Sequence, residues 1–185
     1  VPLAEASGRV LAEAAVARRA QPPFRSAAMD GYALRDAELA IGAAFDVVGE
    51  AAAGHGWDGT VGPGQAVRIF TGAPVPEGAD HVVIQEDVAR EGDRITIQPN
   101  LGSGPNIRPA GGDFAEGFTL EAPRRLSPRD LALLAAMNVP QVTVRARPRV
   151  ALLATGDELV MPGEEPTWDQ IIASNTFALK AMVDE

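Results

Sequence analysis

Arg68-Ile-Phe-Thr-Gly-Ala-Pro-Val-Pro-Glu-Gly-Ala-Asp80, running on into His81-Val-Val-Ile-Gln-Glu86, is the stretch whose reading decides the fold. Two short apolar runs, Ala66–Phe70 and His81–Glu86, flank a cluster of Gly, Pro and Asp that no helix tolerates. Both runs are predicted strands. The first ends on Thr71-Gly72, which offers a hydroxyl and free backbone N–H groups, the makings of an anion nest. The alternative is a plain strand-end turn. His81-Val-Val-Ile is continuously apolar, so that strand is either buried on both faces or short.

Working outward, Phe45–Gly49 and Arg94–Gln98 are further short strand candidates. Val88–Ala89 and Arg94–Gln98 flank Glu91-Gly92-Asp93, a plausible hairpin turn. Of 185 residues, 19 are Gly and 15 are Pro, and the excess lies between Pro22 and Pro123. Residues 24–123 therefore read as β-rich. The flanks differ. Residues 2–16 read as an amphipathic helix, with Leu3, Ala6, Val10 and Ala14 on one face and Gly8 as its weak point. Ser127-Pro128-Arg129-Asp130 is a helix start: Ser as N-cap, Pro at N1 and Asp at N3. That helix should stop near Asn138, and Gln141–Arg145 should return as a strand. Val150-Ala-Leu-Leu-Ala154 looks like the first strand of a parallel α/β sheet, with a polar loop at its carboxyl end, where ligands collect. A helix over residues 174–185 follows, capped by Ser174 or Asn175. One strand and one helix do not make a doubly wound domain, so the chain reads as an internal fragment of a longer protein.

The absence of Cys excludes disulfides, thiolate metal sites and a Cys nucleophile. His55 and His81 are the only histidines, and neither has a second ligand at metal spacing. A formal charge of −9 argues against nucleic acid as a partner. No apolar run approaches a membrane span and no signal peptide opens the chain, so the expectation is a soluble, cytoplasmic protein. Trp57, Trp168 and Tyr32 are too scattered for a base-stacking platform. Arg124, Arg125, Arg129, Arg145, Arg147 and Arg149 read as a solvated surface, with a partner-binding patch as the minority reading.

Three more segments combine tight turns with chemistry. Pro22-Pro-Phe-Arg-Ser-Ala-Ala-Met-Asp30-Gly-Tyr-Ala33 reads as a Pro-launched loop. Its carboxylate either meets a cation or sugar hydroxyl or caps a turn. In Pro105-Asn-Ile-Arg108-Pro-Ala-Gly-Gly-Asp113, Arg108 suits an oxyanion and Asp113 a metal-bound water, unless both are solvated loop charges. In Thr155-Gly-Asp157-Glu158, paired carboxylates at a strand end suit Mg²⁺ or acid–base work, or simply a helix N-terminus.

In this order, together with Val82-Val-Ile-Gln-Glu86 and Ala154-Thr-Gly-Asp-Glu-Leu159, these motifs closely resemble the MoeA family of molybdopterin molybdenumtransferases, which includes the gephyrin E domain. The resemblance covers essentially the whole chain. It implies insertion of molybdenum from molybdate into adenylylated molybdopterin, with Mg²⁺ as cofactor and a molybdopterin adenylyltransferase as the upstream partner. It places the family's functional positions on Asp30, Thr71, Asp113 and Glu158. Thr71, Gly72, Arg108, Thr155 and Asp157 are implied substrate contacts, and Asp157 and Glu158 are candidate metal ligands. It implies an elongated homodimer. A discontinuous linking domain (1–17 plus 118–146) would carry an inserted β-rich domain (18–117), followed by the beginning of a molybdopterin-binding α/β domain (147–185).

Some residues depart from the family pattern. Arg25-Ser26-Ala27 stands where Asp-Asn-Ser is common, Gly112 where Glu is usual, Asp169 where Gly is, and Ala173 where an acid is. The fragment by itself is expected to be inactive. Two other readings remain: a noncatalytic dimerising scaffold of the gephyrin-E type, and a free-standing β-rich binding domain.

Overall fold

The computed structural model describes residues 1–184 and separates into two compact units, Val1–Arg145 and Ala146–Glu185. The first unit is built on a six-stranded sheet. Its strands are β1 (Gly31–Leu34), β2 (Ala44–Ala51), β3 (Gln65–Ile69), β4 (His81–Ile84), β5 (Val88–Glu91) and β6 (Arg94–Ile97). They lie in the order β4-β1-β3-β2-β6-β5. Only β2 and β3 run parallel, and that pair shifts register between Val47 and Gly49.

Both faces of this sheet are covered, and the strand sequences show why. Ala33, Val67 and Val82 point into one cluster, while Tyr32, Leu34, Ala66 and Val83 point into another. That is period-two alternation with apolar side chains on both sides. It accounts for the unbroken apolar run at His81-Val-Val-Ile. β5 and β6 form the expected hairpin, with Glu91 opposite Arg94 and Gly92 at φ 61° as the first of two turn residues. The expected strand over 81–86 is shorter, because Gln85–Asp87 turn into a 3-10 helix.

β1 was not anticipated. The segment read as a loop is buried at all four positions and sits between β3 and β4. Gly31 permits this. A Cβ there would collide with the Val83 carbonyl oxygen, so only glycine lets β4 approach so closely.

Residues 2–16 form no α-helix. A 3-10 turn covers Leu3–Glu5, and two-residue ladders join Val10–Leu11 to Arg124–Arg125 and Ala15–Val16 to Thr119–Leu120. Gly8 at φ 71° leaves the helical region, and its N–H goes to the Leu126 carbonyl. The backbone groups that a helix would pair locally are paired across the fold instead. Buried Ala6, Leu11, Ala15 and Ala17 then pack against Leu120, Leu126, Leu134 and Met137. Each fully buried Leu or Met here contributes about 1.5–3 kcal/mol.

Helix α1 (Pro128–Ala136) contributes buried Leu134 to that core, with Leu131 and Leu133 packed against it and Met137 at its C-cap. Its N-terminus is the anticipated capping box. The Asp130 backbone N–H donates to Ser127 Oγ (3.3 Å), and Ser127 N–H donates to Asp130 Oδ2 (2.8 Å). Asn138 at φ 60° follows the last turn, where the sequence placed the stop. Gln141–Arg145 is not a strand and makes only single bridges, to Pro2 and Leu11. The arginine cluster is solvent-exposed, as expected, but Arg124 also pairs with Asp130 (2.8 Å).

In the second unit, Leu159–Val160 pairs in parallel with Ile171–Ile172, and helix α2 spans Asn175–Asp184. Glu185, the last residue of the helix expected over 174–185, lies outside the described residues. Val150–Ala154 does not form the expected strand, and Leu153 is 88% exposed. A buried parallel strand needs neighbours on its edges and apolar cover on its faces. This run has neither among the described residues of its unit. No helix of the described residues is long and apolar enough to cross a membrane.

Candidate functional site

Ala27 is where three of the four motifs meet. Its N–H donates to the Ala73 carbonyl (3.0 Å), and its own carbonyl accepts from Gly72 N–H (2.9 Å). On the other side, Ser26–Ala27 pairs antiparallel with Ile107–Arg108. Ala28 N–H donates to the Asn106 carbonyl (2.8 Å). Segments 26–28, 72–74 and 106–108 are thereby tied into one backbone assembly. Ala27 is buried at its centre, and its methyl packs in the apolar cluster with Val67 and Ile69.

This assembly and the sheet register set the first pair of site residues. Gly31 lies opposite Ile69, so Asp30 and Thr71 emerge together at one end of β1 and β3. Thr71 donates both its backbone N–H and its hydroxyl to Asp30 Oδ1, each at 2.7 Å. Both bonds favour the ionised carboxyl. The Thr71 backbone N–H is the largest influence, its hydroxyl the next. They hold Asp30 below the ordinary carboxylate range, with a smaller contribution from the Arg68 charge, while slight desolvation works against them.

The anion nest expected at Thr71-Gly72 is not formed. Asp30 takes the Thr71 N–H and the Ala27 carbonyl takes the Gly72 N–H, so neither is free. Thr71 Oγ1 keeps its acceptor lone pairs, and Asp30 keeps Oδ2. The pair therefore presents acceptor atoms of a fixed carboxylate, suited to orienting a water or a protonated group.

Arg108 and Asp113 form the second pair, with Arg108 Nη2 donating to Asp113 Oδ1 at 2.7 Å. Each side chain is about half exposed (51% and 48%). The pair is neutral overall, with spare donors on the guanidinium for an incoming oxyanion.

Thr155, Asp157 and Glu158 belong to the second unit and are exposed. Thr155 lines a pocket of about 400 Å³ with Leu152, Leu153, Ile172, Asn175 and Leu179. Among the described residues, no hydrogen bond engages the Asp157 or Glu158 carboxylates, and no three His, Asp or Glu side chains gather as a metal cage. Two adjacent, uncommitted carboxylates are nonetheless a donor set that fits Mg²⁺, which keeps several waters and takes one or two carboxylates together with substrate oxygens. His81 Nδ1 lies 2.9 Å from Asp36 Oδ1 at the far end of β1 from Asp30, and His55 is exposed in its loop.

Two residues to which the sequence reading gave no role act on Asp30: Arg68 through its charge and Gln85 through its N–H, which donates to the Asp30 carbonyl (3.1 Å). The Arg68 guanidinium carbon lies 5.1 Å from the Tyr32 ring centroid and 4.7 Å from that of Phe70. Arg68 donates to the Gly31 carbonyl (3.1 Å) and to Gln85 Oε1 (2.6 Å). A signal was present: Arg68 and Phe70 are two apart on a strand and so share a face.

Residues 1–138 match the model of the MoeA N-terminal region (domain I and II). The molybdopterin molybdenumtransferase of Nostoc sp. is 39% identical over 100% of this chain and 44% of its own length. That of Haemophilus influenzae is 36% identical over 99% of this chain and 46% of its own length. The crystal structure of a molybdopterin biosynthesis MoeA protein from Pyrococcus horikoshii OT3 superposes with a TM-score of 0.90 at 36% identity. It matches 100% of this chain over 51% of its own. The chain thus spans about half the length of these relatives, and it belongs to the MoeA family, of which it carries the N-terminal region.

Proposed function

We propose that the full-length protein of which this chain forms part is a molybdopterin molybdenumtransferase. It inserts molybdenum from molybdate into adenylylated molybdopterin, acting after a molybdopterin adenylyltransferase. The observation that carries this reading is the convergence of the first three motifs on Ala27, which fixes the Asp30–Thr71 and Arg108–Asp113 pairs on one scaffold. The activity itself comes from the names of the relatives.

Both substrates are anions, so carboxylates alone would repel them. Arg108, drawn from Asp113, supplies a cation for a phosphate or molybdate oxygen. Asp30, kept ionised by Thr71, orients a water or accepts a proton from it. Asp157 and Glu158 would hold Mg²⁺, which supplies charge neutralisation at substrate oxygens. Thr155 contacts substrate beside them. The 1–17 and 118–146 segments make the linking domain, 18–117 the inserted domain, and 147–185 the start of the molybdopterin-binding domain. The parent is a cytoplasmic homodimer, and turnover belongs to it and not to the 185-residue chain.

Reconstituted molybdenum insertion by the full-length parent tests this. Asp30→Ala and Glu158→Ala should each abolish loading while the protein remains folded. Normal loading by both variants would overturn the assignment. A parent that bound no molybdopterin would favour the scaffold alternative.

A further inference from the structure

Asp30 is held by more than Thr71. Its backbone carbonyl accepts from Gln85 N–H (3.1 Å), and the carbonyl of the next residue, Gly31, accepts from Arg68 Nη1 (3.1 Å). Arg68 Nη2 closes the loop by donating to Gln85 Oε1 (2.6 Å). Three elements are thus joined at one point: β3 through Arg68, the 3-10 turn after β4 through Gln85, and the Asp30-Gly31 peptide between them. Arg68 is held in turn by cation–π contact with the Tyr32 and Phe70 rings. Among the described residues its guanidinium meets no carboxylate within ion-pair distance. Its hydrogen-bond acceptors are a carbonyl and an amide, both neutral.

An arginine in this setting differs from a surface one. Its fork is geometrically committed, so it fixes the direction of two acceptors at once, which a lysine does not. Its charge meets no carboxylate at ion-pair distance among the described residues and contributes to holding Asp30 ionised.

We infer that Arg68 and Gln85 are positioning residues for Asp30: the Arg68 fork, with Gln85 as its second anchor, sets the placement of the Asp30 carboxylate against Thr71, and its positive charge adds to the hold of the Thr71 donors. This rests on the role proposed above for Asp30 but concerns residues that reading does not use. The groups that act on Asp30 are Thr71 and Arg68 from β3 and its end, and the Gln85 N–H from the 3-10 turn, where Glu86 is the next residue. Gln85 Nε2 donates to Glu86 Oε1 (3.2 Å), so the glutamate is turned to the amide side of that residue.

The test has two arms. The first uses the 185-residue chain and follows the Asp30 side-chain carboxyl by carbon NMR through an acid titration. Arg68→Met should raise the Asp30 midpoint, and Gln85→Ala should raise it less. Gln85→Glu should also raise it, because it gives Arg68 a carboxylate partner while preserving the hydrogen bond. An unmoved midpoint in a folded Arg68→Met chain would overturn the inference, and so would a fall. The second arm uses the full-length parent. Arg68→Met should lower kcat for molybdenum insertion by roughly 10- to 100-fold, the scale of a small misplacement of a catalytic group, with KM for molybdate little changed. Arg68→Lys should recover part of it. A loss confined to KM would contradict a positioning role. If the parent inserts no molybdenum at all, the functional reading fails while the NMR arm still decides this one.

Discussion

Thr71 places two hydrogens, one from its backbone and one from its hydroxyl, on the same oxygen of Asp30, each at 2.7 Å across 41 residues of sequence. A carboxylate that accepts a backbone N–H and a hydroxyl on one oxygen is fixed in rotation, and its other oxygen has no hydrogen-bond partner among the described residues. The rest of the local chemistry depends on that pairing.

Thr71→Val keeps the backbone donor and the side-chain shape but removes the hydroxyl. The Asp30 carboxyl should then titrate at higher pH than in the unaltered chain, while Thr71→Ser should leave it nearly in place. Carbon NMR of the side-chain carboxyl distinguishes these outcomes.

Two carboxyls, Asp30 and Asp130, are held below their ordinary range. Thr71 is the main cause for Asp30, and the Ser127 hydroxyl followed by its N–H for Asp130. A depressed folded-state pKa means that the unfolded chain binds more protons in the window between the two values. Their stabilisation is therefore complete above the unfolded pKa and is lost as pH falls through the folded one. Urea unfolding of the chain at a series of acid pH values should show the midpoint falling through and below the normal carboxylate range. Asp130→Asn should flatten that dependence.

The capping box on α1 predicts a local cost. Ser127→Ala removes the acceptor for the Asp130 N–H and should destabilise the chain by about 1 kcal/mol. The urea midpoint should drop with no change in slope.

Gly31 and Gly92 separate two kinds of glycine. At Gly31 a methyl group would enter the space of the Val83 carbonyl in the middle of the sheet. Gly31→Ala should cost at least about 3 kcal/mol or prevent folding, as overpacking at a buried backbone contact does. Nothing lies within 4 Å of a Cβ at Gly92, where only the positive φ matters, so Gly92→Ala should cost about 1 kcal/mol. Thermal unfolding of both variants measures the difference.

Arg108 and Asp113 are half exposed, so their ion pair adds little to stability. A double-mutant cycle with alanine should give a coupling of no more than about 1 kcal/mol. Arg108→Ala in the full-length parent should nevertheless impair molybdenum insertion, because the pair's role is proposed to be recognition.

Much of this architecture was legible because local chemistry and tertiary structure agreed. The β5–β6 hairpin, the capped helix at Ser127 and the doubly buried run at His81 each carry a pattern that packing reinforced. Residues 2–16 misled because apolar spacing was helical while Gly8 adopts a positive φ and the flanking N–H and C=O groups pair with residues 117–145. Gly31–Leu34 misled because Asp-Gly suggests a turn, and the close approach of Val83 is not written locally. Val150–Ala154 had the composition of a buried strand but pairs with no strand among the described residues of its unit. Asp30, Thr71, Arg108 and Asp113 were named by motif, but their pairing was not. It depends on Gly31 lying opposite Ile69, a register that no single segment specifies. The free N–H groups expected at Thr71 and Gly72 failed for the same reason, since their acceptors come from the distant 27–30 segment.

The most direct measurement is molybdenum content of molybdopterin after incubation with molybdate and the full-length parent carrying Asp30→Asn. The amide preserves an acceptor for Thr71 and removes only the charge and the base. Loading should fall at least about 100-fold, the scale attached to a general base, with the chain's fold and thermal midpoint essentially unchanged. Loading at the unaltered rate would contradict the claim that an ionised Asp30, fixed by Thr71, takes part in molybdenum insertion.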